Sequence, residues 1–141
     1  MKTIVRTEED TIAAARELAT TLNAQDVICL HGDLGMGKTV FARALIRALV
    51  DDGALEVPSP TFTLVQTYEH KRGVIYHYDL YRLEDPEEVF ELAFEDALAE
   101  GLVIIEWPER LGAYKPRVGL DIRLSSVKND PHAREILIER R

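Results

Sequence analysis

Residues Gly32-Asp33-Leu34-Gly35-Met36-Gly37-Lys38-Thr39 form a complete G-x-x-x-x-G-K-[ST] pattern, and its chemistry demands a strand that runs straight into a loop and then a helix. Both flanks comply. The apolar run Val27-Ile28-Cys29-Leu30 precedes the loop, and Val40, Phe41, Ala44, Leu45, Ala48 and Leu49 follow it at helical spacing. Three glycines, a lysine and a hydroxyl in register exceed what an ordinary turn requires. They suit a loop whose backbone N–H groups and helix N-terminus point at phosphate charge.

The expected fold is therefore α/β, of the P-loop NTPase type, with a mixed, mainly parallel central sheet flanked by helices. Within the loop, Asp33, Leu34, Gly35, Met36, Gly37, Lys38, Thr39 and Val40 are the candidate nucleotide contacts. Lys38 is placed to reach the outer phosphates and Thr39 to ligate magnesium. With 141 residues, 46% of them hydrophobic, the chain is expected to form one domain over 1–141, without room for a second substrate-binding lobe.

Charge narrows the partners. A formal net charge of -8 argues against independent binding to nucleic acid, whose affinity for proteins comes largely from Lys and Arg neutralising phosphates. Any RNA connection is expected to run through another protein. Cys29 stands alone, inside an apolar run, and reads as a small buried side chain. No segment approaches the length of a membrane span, and no apolar stretch follows the N-terminal basic residue. The expectation is a cytoplasmic protein that does not engage a membrane.

Along the chain, Thr7-Glu8-Glu9-Asp10 is expected to cap a first helix with Ile12, Ala15, Leu18, Ala19 and Leu22 inward. Alternation from Phe62 to Tyr68 and the apolar-aromatic run Val74 to Tyr78 predict two strands joined through His70-Lys71-Arg72-Gly73, an antiparallel hairpin portion of the sheet. Asp85-Pro86-Glu87-Glu88 predicts a helix start, with Val89, Phe90, Leu92, Ala93, Ala97 and Leu98 on its apolar side and Gly101 as its stop. Leu102 to Ile105 reads as a buried strand. Val118 to Leu124 and Ile136 to Ile138 are expected to form a tail hairpin closing the sheet.

A phosphate loop needs an acidic group for magnesium or its water at a neighbouring strand end. Glu106 follows four apolar residues, and Asp79 ends the Val74 to Tyr78 run; both are candidates, against the alternative of strand-end carboxylates or an Asp79–Arg82 salt bridge. Thr61, in Ser59-Pro60-Thr61-Phe62, either senses the third phosphate through magnesium or water, or is simply a turn or strand-starting residue. Trp107 lies beside Glu106, where core or interface packing competes with stacking on a nucleotide. His77 reads as a structural hydrogen-bonding residue rather than a general base, and Arg82 and Arg110 could neutralise phosphate, against the default of an exposed or salt-bridged surface arginine. Because Asn-Lys-x-Asp is absent, ATP is preferred over GTP.

Four blocks, Gly32 to Thr39, Ser59 to Val65, Tyr78-Asp79-Leu80-Tyr81-Arg82 and Ile105-Glu106-Trp107-Pro108-Glu109-Arg110, together resemble the TsaE (YjeE) family over roughly residues 5 to 125. The resemblance implies a magnesium-dependent ATPase, weak alone, that joins TsaD and TsaB in threonylcarbamoyladenosine modification of tRNA at adenosine 37 and meets tRNA indirectly through that complex. It also implies that Lys38, Thr39, Thr61, Asp79, Glu106 and Trp107 belong to the active region. Met36 and Val40 depart from the small or hydroxyl residues often found at their positions. The competing readings are a small-molecule kinase and a noncatalytic nucleotide-dependent adaptor.

Overall fold

In the computed structural model, which describes residues 1–141, the chain runs β1 (Lys2–Val5), α1 (Glu8–Ala19), β2 (Val27–His31), α2 (Lys38–Val50), β3 (Val65–His70), β4 (Gly73–Asp79), α3 (Phe94–Glu100), β5 (Leu102–Glu106), β6 (Leu120–Val127) and β7 (Asp130–Arg140). Two 3₁₀ segments, Pro86–Leu92 and Pro108–Tyr114, precede α3 and follow β5. All seven strands share one sheet in the order β1-β7-β6-β2-β5-β4-β3. The four central strands are parallel, and both flanks are antiparallel. The expected mixed sheet with a parallel centre and a hairpin portion is present.

Parallel strands covered on both faces read as continuous apolar runs rather than alternating ones, and β2 and β5 show why. Ile28, Leu30, Leu102 and Ile104 face the layer built by α1 and α2, where Phe41, Ala42, Leu45 and Ile46 are fully buried. Val27, Cys29, Val103 and Ile105 face the other way, onto Tyr78, Leu80, Val89, Phe94 and Leu111. Burying each large apolar side chain of these layers is worth about 1.5–3 kcal/mol before entropy is counted. Thr7 caps α1 as expected, its Oγ1 accepting from the Asp10 N–H at 3.1 Å. No helix is long and apolar enough to cross a membrane.

Three elements differ from the reading of the sequence. The helix expected after Asp85 begins with the anticipated cap contact, Asp85 N–H to Glu88 Oε1 at 2.8 Å, but winds as a 3₁₀ segment. It breaks at Ala93 (φ 57°) and restarts as α3. Val89 and Phe94 are both buried, yet five residues on a continuous α-helix would set them about 140° apart; the break turns both onto one core. Gly101 does end α3, but in an extended conformation. Its lack of a side chain serves space: a Cβ there would lie 2.6 Å from the Tyr76 ring.

The strand expected from Phe62 starts later. Thr61 to Leu64 form a turn closed by Leu64 N–H to Pro60 O at 2.7 Å, with Leu64 at φ 69°, and β3 begins at Val65. Finally, the tail hairpin β6–β7 exists but does not close the sheet. The unanticipated β1 pairs along β7 and is the edge strand on that side. Four residues beginning at a lysine carry too little pattern to announce a strand whose partners run from Arg134 to Leu137 at the far end of the chain.

Candidate nucleotide-phosphate site

The carboxyl ends of β2, β5 and β4 lie side by side, because Leu30 pairs with Glu106 and Asp79 pairs with Glu106 in the parallel ladders. Beyond that edge the chain leaves β2 through the phosphate loop into α2. Gly37, the residue before α2, sits at φ 101°, a conformation that side chains disfavour and that lets the loop turn into the helix. Gly32 is held for a second reason as well, since a Cβ there would meet the Leu124 carbonyl of β6 at 2.7 Å.

A cleft of about 460 Å³ opens at this edge. Asp33, Leu34, Gly35, Gly37, Lys38, Thr39, Val40, Thr61, Asp79, Glu106 and Trp107 all line it. Of the candidate nucleotide contacts Asp33 to Val40, only Met36 does not; it packs against the α1–α2 core and lines a neighbouring cleft shared with His132 and Arg134 of β7. Two further residues, Tyr81 and Arg82, also line the cleft. Arg82 covers the exposed Phe62 ring at 4.3 Å, and Tyr81 packs on Trp107 at 4.9 Å. The block Tyr78 to Arg82 held both, but the turn that aims them at the cleft is not legible from spacing.

Lys38 is buried, and its Nζ donates to the carbonyl oxygens of Gly32 and Asp33, the latter at 3.2 Å. It also sits 3.7 Å from the Trp107 ring centroid, a cation–π arrangement. Burial lowers the ammonium's pKa, and the surrounding Glu106, Glu109, Asp79 and Asp33 carboxylates act against that fall. Trp107 holds a left-handed backbone (φ 60°, ψ 51°) immediately before Pro108. For a bulky residue this costs of order 1–3 kcal/mol and marks a place where surrounding structure imposes the geometry.

The carboxylates take distinct positions. Glu106 is buried, accepting from Thr39 Oγ1 at 3.3 Å on Oε1 and from His77 Nε2 at 2.7 Å on Oε2. Asp79 accepts from the Tyr81 N–H at 3.0 Å and from Thr61 Oγ1 at 3.4 Å, and Thr61 Oγ1 is 2.7 Å from Ser59 Oγ. Burial raises the Asp79 pKa, the Tyr81 N–H opposes it, and the neighbouring Glu106 charge adds to the rise. Thr61 is thus tied to Asp79 from a turn, and no Asp79–Arg82 ion pair forms. No group of three or more His, Cys, Asp or Glu side chains converges on one point. A metal held here would draw on Thr39, one or two carboxylates and the ligand's own phosphates, a donor set that suits magnesium.

A second charged cluster anchors the loop's other end. His31, the last residue of β2, places Nε2 2.7 Å from Asp121 Oδ1; Lys115 Nζ and Arg141 Nε reach the same carboxylate at 3.3 and 2.9 Å. Burial alone would raise the Asp121 pKa, but hydrogen bonds from His31 and Lys115 and the Arg141 charge hold it below the usual range. His31 is itself lowered by burial, so at neutral pH it contributes a hydrogen bond and the two basic side chains contribute the charge.

A parallel-centred sheet, a glycine loop opening a helix, and a lysine, a threonine and strand-end carboxylates gathered at one edge define a protein of the P-loop NTPase fold. The family described as Threonylcarbamoyl adenosine biosynthesis protein TsaE matches residues 5–136, and the chain belongs to that family. Proteins named tRNA threonylcarbamoyladenosine biosynthesis protein TsaE are similar to it. That of Rickettsia felis is 48% identical over 75% of this chain and 61% of its own length. Those of Rickettsia bellii and Aquifex aeolicus are 40% and 44% identical, over 92% and 76% of this chain and 89% and 76% of theirs. The crystal structure of Bacillus subtilis YdiB superposes with a TM-score of 0.72 at 28% identity, covering 96% of this chain and 82% of that one.

Proposed function

We propose that this chain binds and hydrolyses ATP with magnesium, and that it acts with TsaD and TsaB in threonylcarbamoyladenosine modification of tRNA at adenosine 37. The observation that carries the reading is the convergence of Lys38, Thr39, Glu106 and Asp79 on one cleft at the carboxyl ends of three adjacent parallel strands. In this reading Lys38 exchanges its bonds to the Gly32 and Asp33 carbonyls for phosphate oxygens. Thr39 and Glu106 hold the metal, with Asp79 adjacent. Thr61, tied to Asp79, orients the attacking water, and the Trp107 ring flanks the phosphates. Bound magnesium would supply charge neutralisation at the phosphate oxygens.

The cleft opens to solvent beside Leu34, which is 67% exposed, and Arg82, which covers the 80% exposed Phe62 ring. Hydrolysis gains from water exclusion and from fixed alignment of the attacking water. A partner seated over this mouth supplies both, and so the ATPase is weak alone and strengthened in the complex. With a net charge of -8, the chain meets tRNA through the partners' surfaces.

Reconstituting the modification with TsaD, TsaB and the separate threonylcarbamoyladenylate synthase tests this directly. A requirement for this chain and for ATP hydrolysis over several turnovers is expected. ATP binding without any need for hydrolysis would instead mark a noncatalytic adaptor, and phosphate transfer to a small acceptor would mark a kinase.

A further inference from the structure

His77 is the one buried titratable side chain beside the cleft that the proposed chemistry leaves without a task. It lies one rung below Asp79 on β4, registered with Ile104, on the face where Ile75 and Leu102 form the rung beneath. It is 1% exposed, and its Nε2 stands 2.7 Å from Glu106 Oε2, while its Nδ1 has no hydrogen-bond partner within the chain. A histidine kept for the core's sake ordinarily satisfies both ring nitrogens, because a buried polar atom without a hydrogen bond is costly. An aliphatic residue, such as Ile75 one rung down, would fill this layer without that cost.

The single bond that the imidazole does make goes to Glu106, whose other oxygen faces Thr39. An ionised carboxylate only accepts hydrogen bonds, so Nε2–H donates and fixes the tautomer. Glu106 is thereby gripped from below by β4 and from above by the first turn of α2, with one oxygen, Oε1, left toward the cleft. We infer that His77 is a positioning residue for Glu106: it holds the carboxylate's rotamer so that Oε1 meets the metal and the Thr39 hydroxyl together. The inference rests on the reading of Glu106 given above.

The test compares His77→Asn, His77→Gln, Glu106→Gln and the double variant His77→Asn/Glu106→Gln in the full chain, with an unfolding midpoint for each. Gln carries its amide nitrogen near the position of Nε2 and can donate to Glu106. Asn cannot reach. Two quantities are read: ATP affinity by calorimetry with and without magnesium, and kcat and KM for ATP in the presence of TsaD and TsaB. Loss of an outer partner of a metal-binding carboxylate commonly costs about 10- to 100-fold in metal affinity or activity.

Expected are a loss of about tenfold or more in kcat and in the magnesium-dependent gain in affinity for His77→Asn, with KM and metal-free affinity little changed. His77→Gln should restore both, and the Asn substitution should add little once Glu106→Gln is present. Where His77→Asn is unfolded at the assay temperature, His77→Met, which lacks a donor at similar length, takes its place. Wild-type behaviour of His77→Asn beside an impaired Glu106→Gln overturns the inference alone. An equal loss on top of Glu106→Gln, or failure of a folded His77→Gln to restore the rate, does the same. A fully active Glu106→Gln overturns the reading of Glu106 and takes the inference with it.

Discussion

Replacing Lys38 with alanine separates the site from the scaffold. The side chain is buried, but its partners are two carbonyls of its own loop and one ring face, and of these Asp33 and Trp107 line the open cleft, with Gly32 next in the chain to Asp33. Once the lysine is gone, cleft water can solvate those carbonyls. Loss of the bonds and the cation–π contact, roughly 1 kcal/mol for each kind, is opposed by relief of a desolvated ammonium. A net stability change of about 1 kcal/mol or less is expected, near 3 °C in melting temperature for a chain of this size.

Phosphate binding should suffer far more. Among cleft residues the acids Asp33, Asp79 and Glu106 face only Lys38 and Arg82, so removing Lys38 leaves an anion opposite three carboxylates with one arginine. Charge-assisted hydrogen bonds are worth about 1.5–3 kcal/mol, and added repulsion brings the loss to roughly 3–4 kcal/mol. That is a fall in affinity of about 10²–10³-fold. Calorimetric titration with magnesium-ATP, alongside urea melts of the same preparation, measures both halves. A folded Lys38→Ala that binds ATP as wild type does would refute the placement of phosphate beside this lysine; a collapse in stability with residual affinity intact would refute its assignment as a ligand rather than a structural group.

Asp79→Asn keeps an acceptor for the Tyr81 N–H and removes a buried charge next to Glu106; in metal-free buffer it should stabilise the fold by about 1 kcal/mol while lowering partner-stimulated ATP hydrolysis, and a destabilised, fully active variant would contradict both halves. Asp121→Asn weakens the contacts of Lys115 and Arg141 and should cost about 2 kcal/mol, below the range for a fully buried pair because both basic side chains are partly exposed. Since the folded Asp121 pKa is depressed, this stability is present above the unfolded carboxylate's pKa and is lost as pH falls through the folded value. The wild-type advantage over Asp121→Asn in urea melts should therefore shrink below about pH 4, and a gap that is flat or widening there would contradict the charge argument. Gly32→Ala sets a Cβ 2.7 Å from the Leu124 carbonyl at φ +154° and should cost about 2–4 kcal/mol in strain and overpacking; a loss under 0.5 kcal/mol in urea melts would show that β6 yields at that point.

The amino-acid sequence determined the phosphate loop and the strand–loop–helix around it, because glycine spacing, the lysine and the apolar flanks are local and their chemistry admits few alternatives. It also marked Glu106 and Asp79, since an apolar run ending in a carboxylate is a strand delivering a charge to a sheet edge. Tertiary structure alone decided that these two are direct neighbours, that Thr61 reaches Asp79, and that the lysine rests against Trp107. Register between β4 and β5, the left-handed turns at Leu64, Ala93 and Trp107, and the outer β1 strand are settled by which distant surfaces must be buried together. The His77–Glu106 bond belongs with them: a histidine two residues from an aspartate is visible in a sequence, but a hydrogen bond across 29 positions exists only once two parallel strands have chosen their alignment.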